Sequence, residues 1–148
     1  MKHIKTFENI NDNNIYFYIR TKNIKKVKEL INKNVDVNLR TNIGETLLMS
    51  AVDKDFLPGV KELIKAGAKL DLVNSLNRTA LWYSACYGYI KITEELIKSG
   101  SDWNIIDDVD NKDFFDLLSS DNKKNIIKKF PEKYENYLLI KNSNKFGI

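Results

Sequence analysis

Five aspartates crowd one short stretch: Asp107, Asp108, Asp110, Asp113 and Asp116. Closely spaced carboxylates can chelate calcium, which takes roughly six to eight oxygen ligands. A calcium loop begun at Asp108 would put Lys112 at its fifth position, lack the glycine at its sixth, and end on Ser119 instead of a bidentate glutamate. The cluster therefore reads as turn residues and helix-start acids, which the helix dipole favours. The single histidine, His3, and the single cysteine, Cys86, make neither a zinc ligand set nor a plausible nucleophile–base pair. Neither glycine-rich phosphate loop occurs. No metal and no cofactor is expected. Catalysis is disfavoured, because paired carboxylates need a pocket to do acid–base work.

The whole chain sets further bounds. Its 148 residues amount to one domain, and 43% apolar with 30% charged residues allow a core and a solvated surface. No apolar run approaches the roughly 18 residues of a spanning helix. The N-terminus lacks a signal-peptide apolar region, so a cytoplasmic home is expected, with export that reads no N-terminal signal left open. One cysteine allows no intrachain disulfide. The net charge of +4 divides into +5 for residues 1–41, −5 for 42–120 and +4 for 121–148. The ends are basic and the middle is acidic.

Something must position these groups, and the chain shows what it is. Gly44-Glu45-Thr46-Leu47-Leu48 aligns with Asn77-Arg78-Thr79-Ala80-Leu81 at a spacing of 33. Gly67 and Gly100 keep that spacing, as do Leu63-Ile64 and Leu96-Ile97. One step back, Val27, Leu30 and Ile31 match Val60, Leu63 and Ile64, and Asn34 stands where Gly67 does. One step forward, Asp110 to Phe114 replace the turn and Phe115 to Leu118 the first helix. Two residues before each threonine position stand Gly44, Asn77 and Asp110, types that tolerate positive φ. Each unit is a turn, a short helix, a tight corner and a second helix. Such units bury their faces only by stacking.

The unit resembles the ankyrin repeat, with its D-x-x-G-x-T-P-L-H-x-A-A-x-x-G-H, V-x-x-L-L and G-A-D-x-N pattern. The third unit carries Asn77, Thr79, Leu81, Ser84-Ala85, Gly88, Leu96-Ile97, Gly100, Ser101, Asp102 and Asn104 at those places. The second carries Gly44, Thr46, Leu48, Ala51-Val52, Leu63-Ile64, Gly67 and Ala68. Leu47 and Met49, then Ala80 and Trp82, replace the Pro and His, and Asp55 replaces one inter-helix Gly. The resemblance covers residues 14–130. It implies an all-α solenoid in a single domain, with units near 8–40, 41–73, 74–106 and 107–130.

End units must be modified to stay soluble. Tyr18 and Ile19 fill the small-residue pair of the first unit, with Ile4 and Phe7 placed to cover it. The fourth unit keeps Ile126 and Phe130 inward and carries Lys123 and Lys129 outward. Residues 131–141 read as a capping helix with Tyr134, Tyr137 and Leu138 on one side. A frayed tail is expected to follow.

Partner contacts in ankyrin-like stacks come from turn tips and first helices, which line a concave groove. The resemblance carries that role to Arg40, Asn42, Ile43, Glu45, Asp53 and Lys54. In the third unit it falls on Ser75, Leu76, Arg78, Trp82, Tyr83, Cys86 and Tyr87, and in the fourth on Asp108, Val109 and Lys112. Ile43, Leu76 and Val109 are apolar at equivalent turn positions, which fits either an interface core or residues that each pack on a neighbouring turn. Trp82 is expected half exposed and Trp103 structural, while Arg78 and Cys86 are candidate neighbours.

Non-catalytic recognition of another protein is the leading expectation, by a monomer acting as an inhibitor, immunity protein or effector. The acidic middle points to a partner with a basic patch. Nucleic-acid binding through the basic ends is the alternative. It is disfavoured, because Lys22, Lys25, Lys26, Lys28 and Lys33 read as a solvated face and no recognition motif occurs. An enzyme with an unrecognised site is the third class.

Overall fold

The computed structural model describes residues 13–146, and among these every regular element is a helix. Four pairs follow one another: α1 (Asn13–Arg20) with α2 (Ile24–Asn32), α3 (Leu47–Asp53) with α4 (Leu57–Lys65), α5 (Ala80–Cys86) with α6 (Ile90–Lys98), and α7 (Phe114–Leu117) with α8 (Ser120–Lys129). A single helix, α9 (Pro131–Phe146), closes the chain. Ile4 and Phe7, proposed to cover the first unit, lie outside the described residues.

Side-chain oxygens define the starts of most helices. Thr46 and Thr79 accept from the backbone N–H groups of Met49 and Trp82, three residues on. Asp113 and Ser119 do the same for α7 and α8. Each bond satisfies a donor that the helix cannot use internally. The helix α4 starts without a side-chain cap and places Pro58 in its first turn, where the missing N–H costs nothing. Corners turn at Lys22, Asp55 and Gly88, all with positive φ, and the second helices end at Asn34, Gly67 and Gly100, also with positive φ. Both series keep the 33-residue spacing. Asp55 takes this conformation without being glycine, which is why its departure from the family pattern leaves the corner intact.

First helices stack on one another as α1, α3, α5 and α7, while α2, α4 and α6 form a second layer. The core lies between the layers. Ala51, Ser84 and Ala85 are buried and small enough for close approach. Val60, Leu63, Ile92, Leu96 and Ile97 form the buried stripe of the second layer. A polar ladder joins successive units at one edge: Asn38 accepts from the Lys69 N–H at 2.7 Å, and Asp71 from the Asp102 N–H at 2.9 Å.

The fourth unit departs from the period. Its cap is Asp113, 34 residues after Thr79, and its first helix is a single turn. The left-handed residue is Asn111, not the expected Asp110. The turns show where the extra residue sits. Backbone bonds close Thr41 on Glu45 and Asn74 on Arg78, but Asp107 on Lys112. The insertion thus lies past Val109, which keeps the same place at its turn tip as Ile43 and Leu76.

The stack ends in an aromatic cluster. Trp103 meets Phe114 edge-on at 5.0 Å, and Tyr137 of α9 packs against Trp103 and Phe115. Two expectations fail here. The helix α9 runs through Asn142 to Phe146 where a frayed tail was expected. Leu138 does not join Tyr134 and Tyr137 in the contact but is exposed, as are Leu139 and Ile140.

Candidate functional site

Three turns, built on Thr41, Asn74 and Asp107, project from the stack at 33-residue intervals. Each uses a side-chain oxygen to hold its own backbone. Thr41 Oγ1 accepts from Glu45 N–H, Asn74 Oδ1 from Leu76 and Arg78 N–H, and Asp107 from Val109, Asp110 and Lys112 N–H. Neighbouring tips are bonded to each other. Ser75 N–H donates to Ile43 O at 3.0 Å, and Asp108 N–H to Leu76 O at 3.1 Å. These bonds fix Ile43, Leu76 and Val109 in one row along the edge. All three are exposed, at 54%, 40% and 60%. Asn42 lies exposed beside Ile43.

Behind the row, between the second and third units, lies a notch of about 120 Å³. Ile43, Glu45, Met49, Asp53, Asn74, Tyr83 and Tyr87 line it. Tyr83 and Tyr87 stack with ring centres 5.9 Å apart, and Asn74 donates its amide to the Tyr83 hydroxyl at 2.8 Å. Burial pushes the Tyr87 phenol up, and the Asp53 charge beside it adds to the rise. Asp53 pairs with Lys54 at 2.7 Å. Glu45 accepts from Ser50 Oγ at 3.4 Å.

Other expected residues serve the fold. Arg40 is exposed, but its guanidinium donates to the Gly44 and Val73 carbonyls and so clasps two units together. Trp82 is 4% exposed, not half exposed. Its indole donates to Asp107 Oδ2 at 3.3 Å, and the Arg78 guanidinium lies 4.0 Å above its ring. Arg78 also reaches Asp107 at 3.5 Å and Asp110 at 3.6 Å, so its charge is engaged at this junction. Burial pushes the Asp107 carboxyl up. The N–H groups of Asp110, Val109 and Lys112, with the indole, overcome this and hold it at about 2. Cys86 and Lys112 are exposed, and the Lys112 backbone is held by Asp107.

Sequence reasoning missed Asn74 and Met49 in the notch, and the exposed Phe17 of α1. Phe17 is exposed on α1 at the register of Ser50 and Tyr83, which the 33-residue spacing alone would have flagged. Among the described residues, no group of three His, Cys, Asp or Glu is placed to hold a metal ion, and no helix is long and apolar enough to cross a membrane.

A family model for ankyrin repeats (3 copies) matches residues 15–107. The chain belongs to the ankyrin-repeat family. The match spans the first three helix pairs and reaches Asp107. The fourth pair, with its inserted turn residue and one-turn first helix, lies beyond it. Comparison with curated proteins finds no match. Ankyrin repeats are generally protein–protein interaction modules and typically non-catalytic. In this ankyrin stack, the exposed tip row and the tyrosine-walled notch lie on the turn and first-helix side.

Proposed function

We propose that this ankyrin stack binds a partner protein through its turn tips and first helices, as a non-catalytic monomer. The observation that carries the reading is the row Ile43, Leu76 and Val109, held in line by backbone bonds and exposed beside Tyr87 and the notch. Three apolar tips ringed by polar groups match the anatomy of an interface core and rim. Glu45, Asp53 and Asp108 supply acidic groups around them, which favours a partner with a basic patch. By covering that patch the chain would work as an inhibitor, immunity protein or effector does.

Nucleic-acid binding is less well supported. Lys26 and Lys33 pair with Glu29 at 2.8 and 3.0 Å, and Lys28 pairs with Glu62 at 3.3 Å. A backbone-tracking surface would leave such lysines for phosphates.

The test compares capture from native lysate by wild type and by an Ile43→Asp/Leu76→Asp/Tyr87→Ala variant whose fold is checked by circular dichroism. A saturable protein partner, lost by the folded variant, is the expected result. Capture unchanged by the variant would move the site off this face.

A further inference from the structure

Successive junctions of the stack repeat one geometry, so equivalent places in them can be compared. Between the third and fourth units, Arg78 fills such a place. Its guanidinium lies 4.0 Å over the Trp82 ring with its charge toward Asp107. One repeat earlier, 33 residues back, the same three positions hold Glu45, Met49 and Asn74. All three line the notch between the second and third units. At the preceding junction the position of Met49 is taken by Tyr16, whose hydroxyl donates to the Leu39 and Glu45 carbonyls, both at 3.1 Å. At this place two junctions carry one of the chain's own aromatic or guanidinium groups. The middle one stays open and presents a carboxylate where its neighbour presents an arginine.

We propose that this notch is a socket for one arginine side chain of the partner protein. The inference deepens the concave-face reading and rests on it. The space is about 120 Å³, which suits a single head group. A guanidinium is planar, stacks on aromatic faces and matches a carboxylate with paired donors. The stacked pair Tyr83 and Tyr87 supplies aromatic surface. Glu45 is the main acceptor, because among the described residues its carboxylate has only the Ser50 hydroxyl as a side-chain partner, at 3.4 Å. Asp53 adds negative charge but shares it with Lys54. The Arg78–Trp82–Asp107 group is the chain's own example of the same chemistry: aromatic surface below, carboxylate beside, guanidinium between.

The test titrates the full chain with three probes: acetyl-Gly-Gly-Arg-Gly-Gly-amide, its lysine counterpart, and its neutral citrulline counterpart. Backbone and aromatic NMR shifts follow binding. The arginine probe is expected to give saturable shifts centred on Glu45, Asn74, Tyr83 and Tyr87, with lysine weaker and citrulline silent. Glu45→Gln should weaken the arginine probe by about tenfold or more, as loss of a charged acceptor does. Glu45→Arg should abolish the response by filling the socket from within, and it gives a second reading if the glutamine variant is poorly folded. Absence of shifts at the notch, an equal response to citrulline, or indifference to both substitutions overturns the socket. If partner capture depends on Ile43 and Leu76 while the arginine probe is silent, the concave face stands and the socket falls. If the probe binds while capture ignores the tips, the notch accepts arginine but the partner docks elsewhere, and the proposal falls together with the concave-face reading.

Discussion

The Trp82 indole donates to the Asp107 carboxylate at 3.3 Å, across the boundary between the third and fourth units. The pair joins a helix start to the turn that follows it one unit later. Asp107 spends its remaining lone pairs on three backbone N–H groups of its own turn. Arg78 closes the assembly over the indole face. A buried carboxylate with this many donors is stable only while all of them stay in place.

Asp107→Asn is therefore expected to destabilise the chain by about 2–4 kcal/mol, because the amide keeps one acceptor and adds donors facing donors. Urea unfolding at neutral pH measures this. The acid limb gives a second reading. Asp107 is held at about 2 in the folded state, below its ordinary 3.8. A depressed carboxylate stabilises the fold above its unfolded pKa and loses that contribution as pH falls through the folded value. Stability should decline between about pH 4 and pH 2. In Asp107→Asn that part of the decline should be missing, and an unchanged acid slope would refute the assignment.

Asn77 sits at φ 56° and donates its amide to Ile106 O at 2.8 Å. Replacement by alanine combines a left-handed cost of about 1–2 kcal/mol with the loss of a hydrogen bond worth roughly 1 kcal/mol. Glycine removes only the bond. Chemical denaturation should thus rank wild type, Asn77→Gly and Asn77→Ala in falling order. Equal losses for the two variants would show that backbone strain plays no part.

The repeat was legible because its landmarks are backbone requirements. Thr46 and Thr79 cap helices, and Asn34, Gly67 and Gly100 end them, so spacing alone exposed the period. The inserted residue of the fourth turn was not legible, since Asp110 and Asn111 are both turn formers and only their φ values separate them. The tip row was legible from Ile43, Leu76 and Val109, which share one place in the turn. The notch was not. It arises where Glu45, Met49 and Asn74 replace a set whose members only meet across two units. Trp82 misled for the same reason: its hydrogen-bond acceptor lies 25 residues away.

The helix α9 is expected to seal the last unit. Tyr137 is buried, donates to Asp113 Oδ2 at 2.9 Å and accepts from Lys141 at 2.6 Å. Asp113 is also the cap of α7, so α9 steadies the start of that one-turn helix. Ending the chain after Phe130 should uncover Trp103 and Phe115. The measurement is tryptophan fluorescence in a Trp82→Phe background, where Trp103 alone reports. A red shift with lowered thermal stability is expected on truncation, and an unmoved spectrum would mean that α9 does not shield the indole. Tyr137→Phe keeps the ring and should cost only about 1–2 kcal/mol.

Gly59 sets two ordinary effects against each other. It lies inside α4, where alanine is normally favoured over glycine by about 1 kcal/mol. A methyl group at this position would fall 2.3 Å from Phe56 Cδ1 and 2.4 Å from Cε1. Such a contact is far inside normal packing distance, and relief requires the ring to move. Phe56 is buried directly before α4 with its backbone N–H bonded to Ala51 O, so the ring has little room. Forced repacking in a tight core costs about 1–3 kcal/mol. Steric cost should outweigh helix propensity, and Gly59→Ala should lower stability. Phe56→Leu, which trims the ring, should remove the conflict, so that Gly59→Ala becomes neutral or stabilising in that background. A double-mutant cycle by chemical denaturation isolates the coupling. Additive effects of the two changes would show that the ring does not oppose the methyl group.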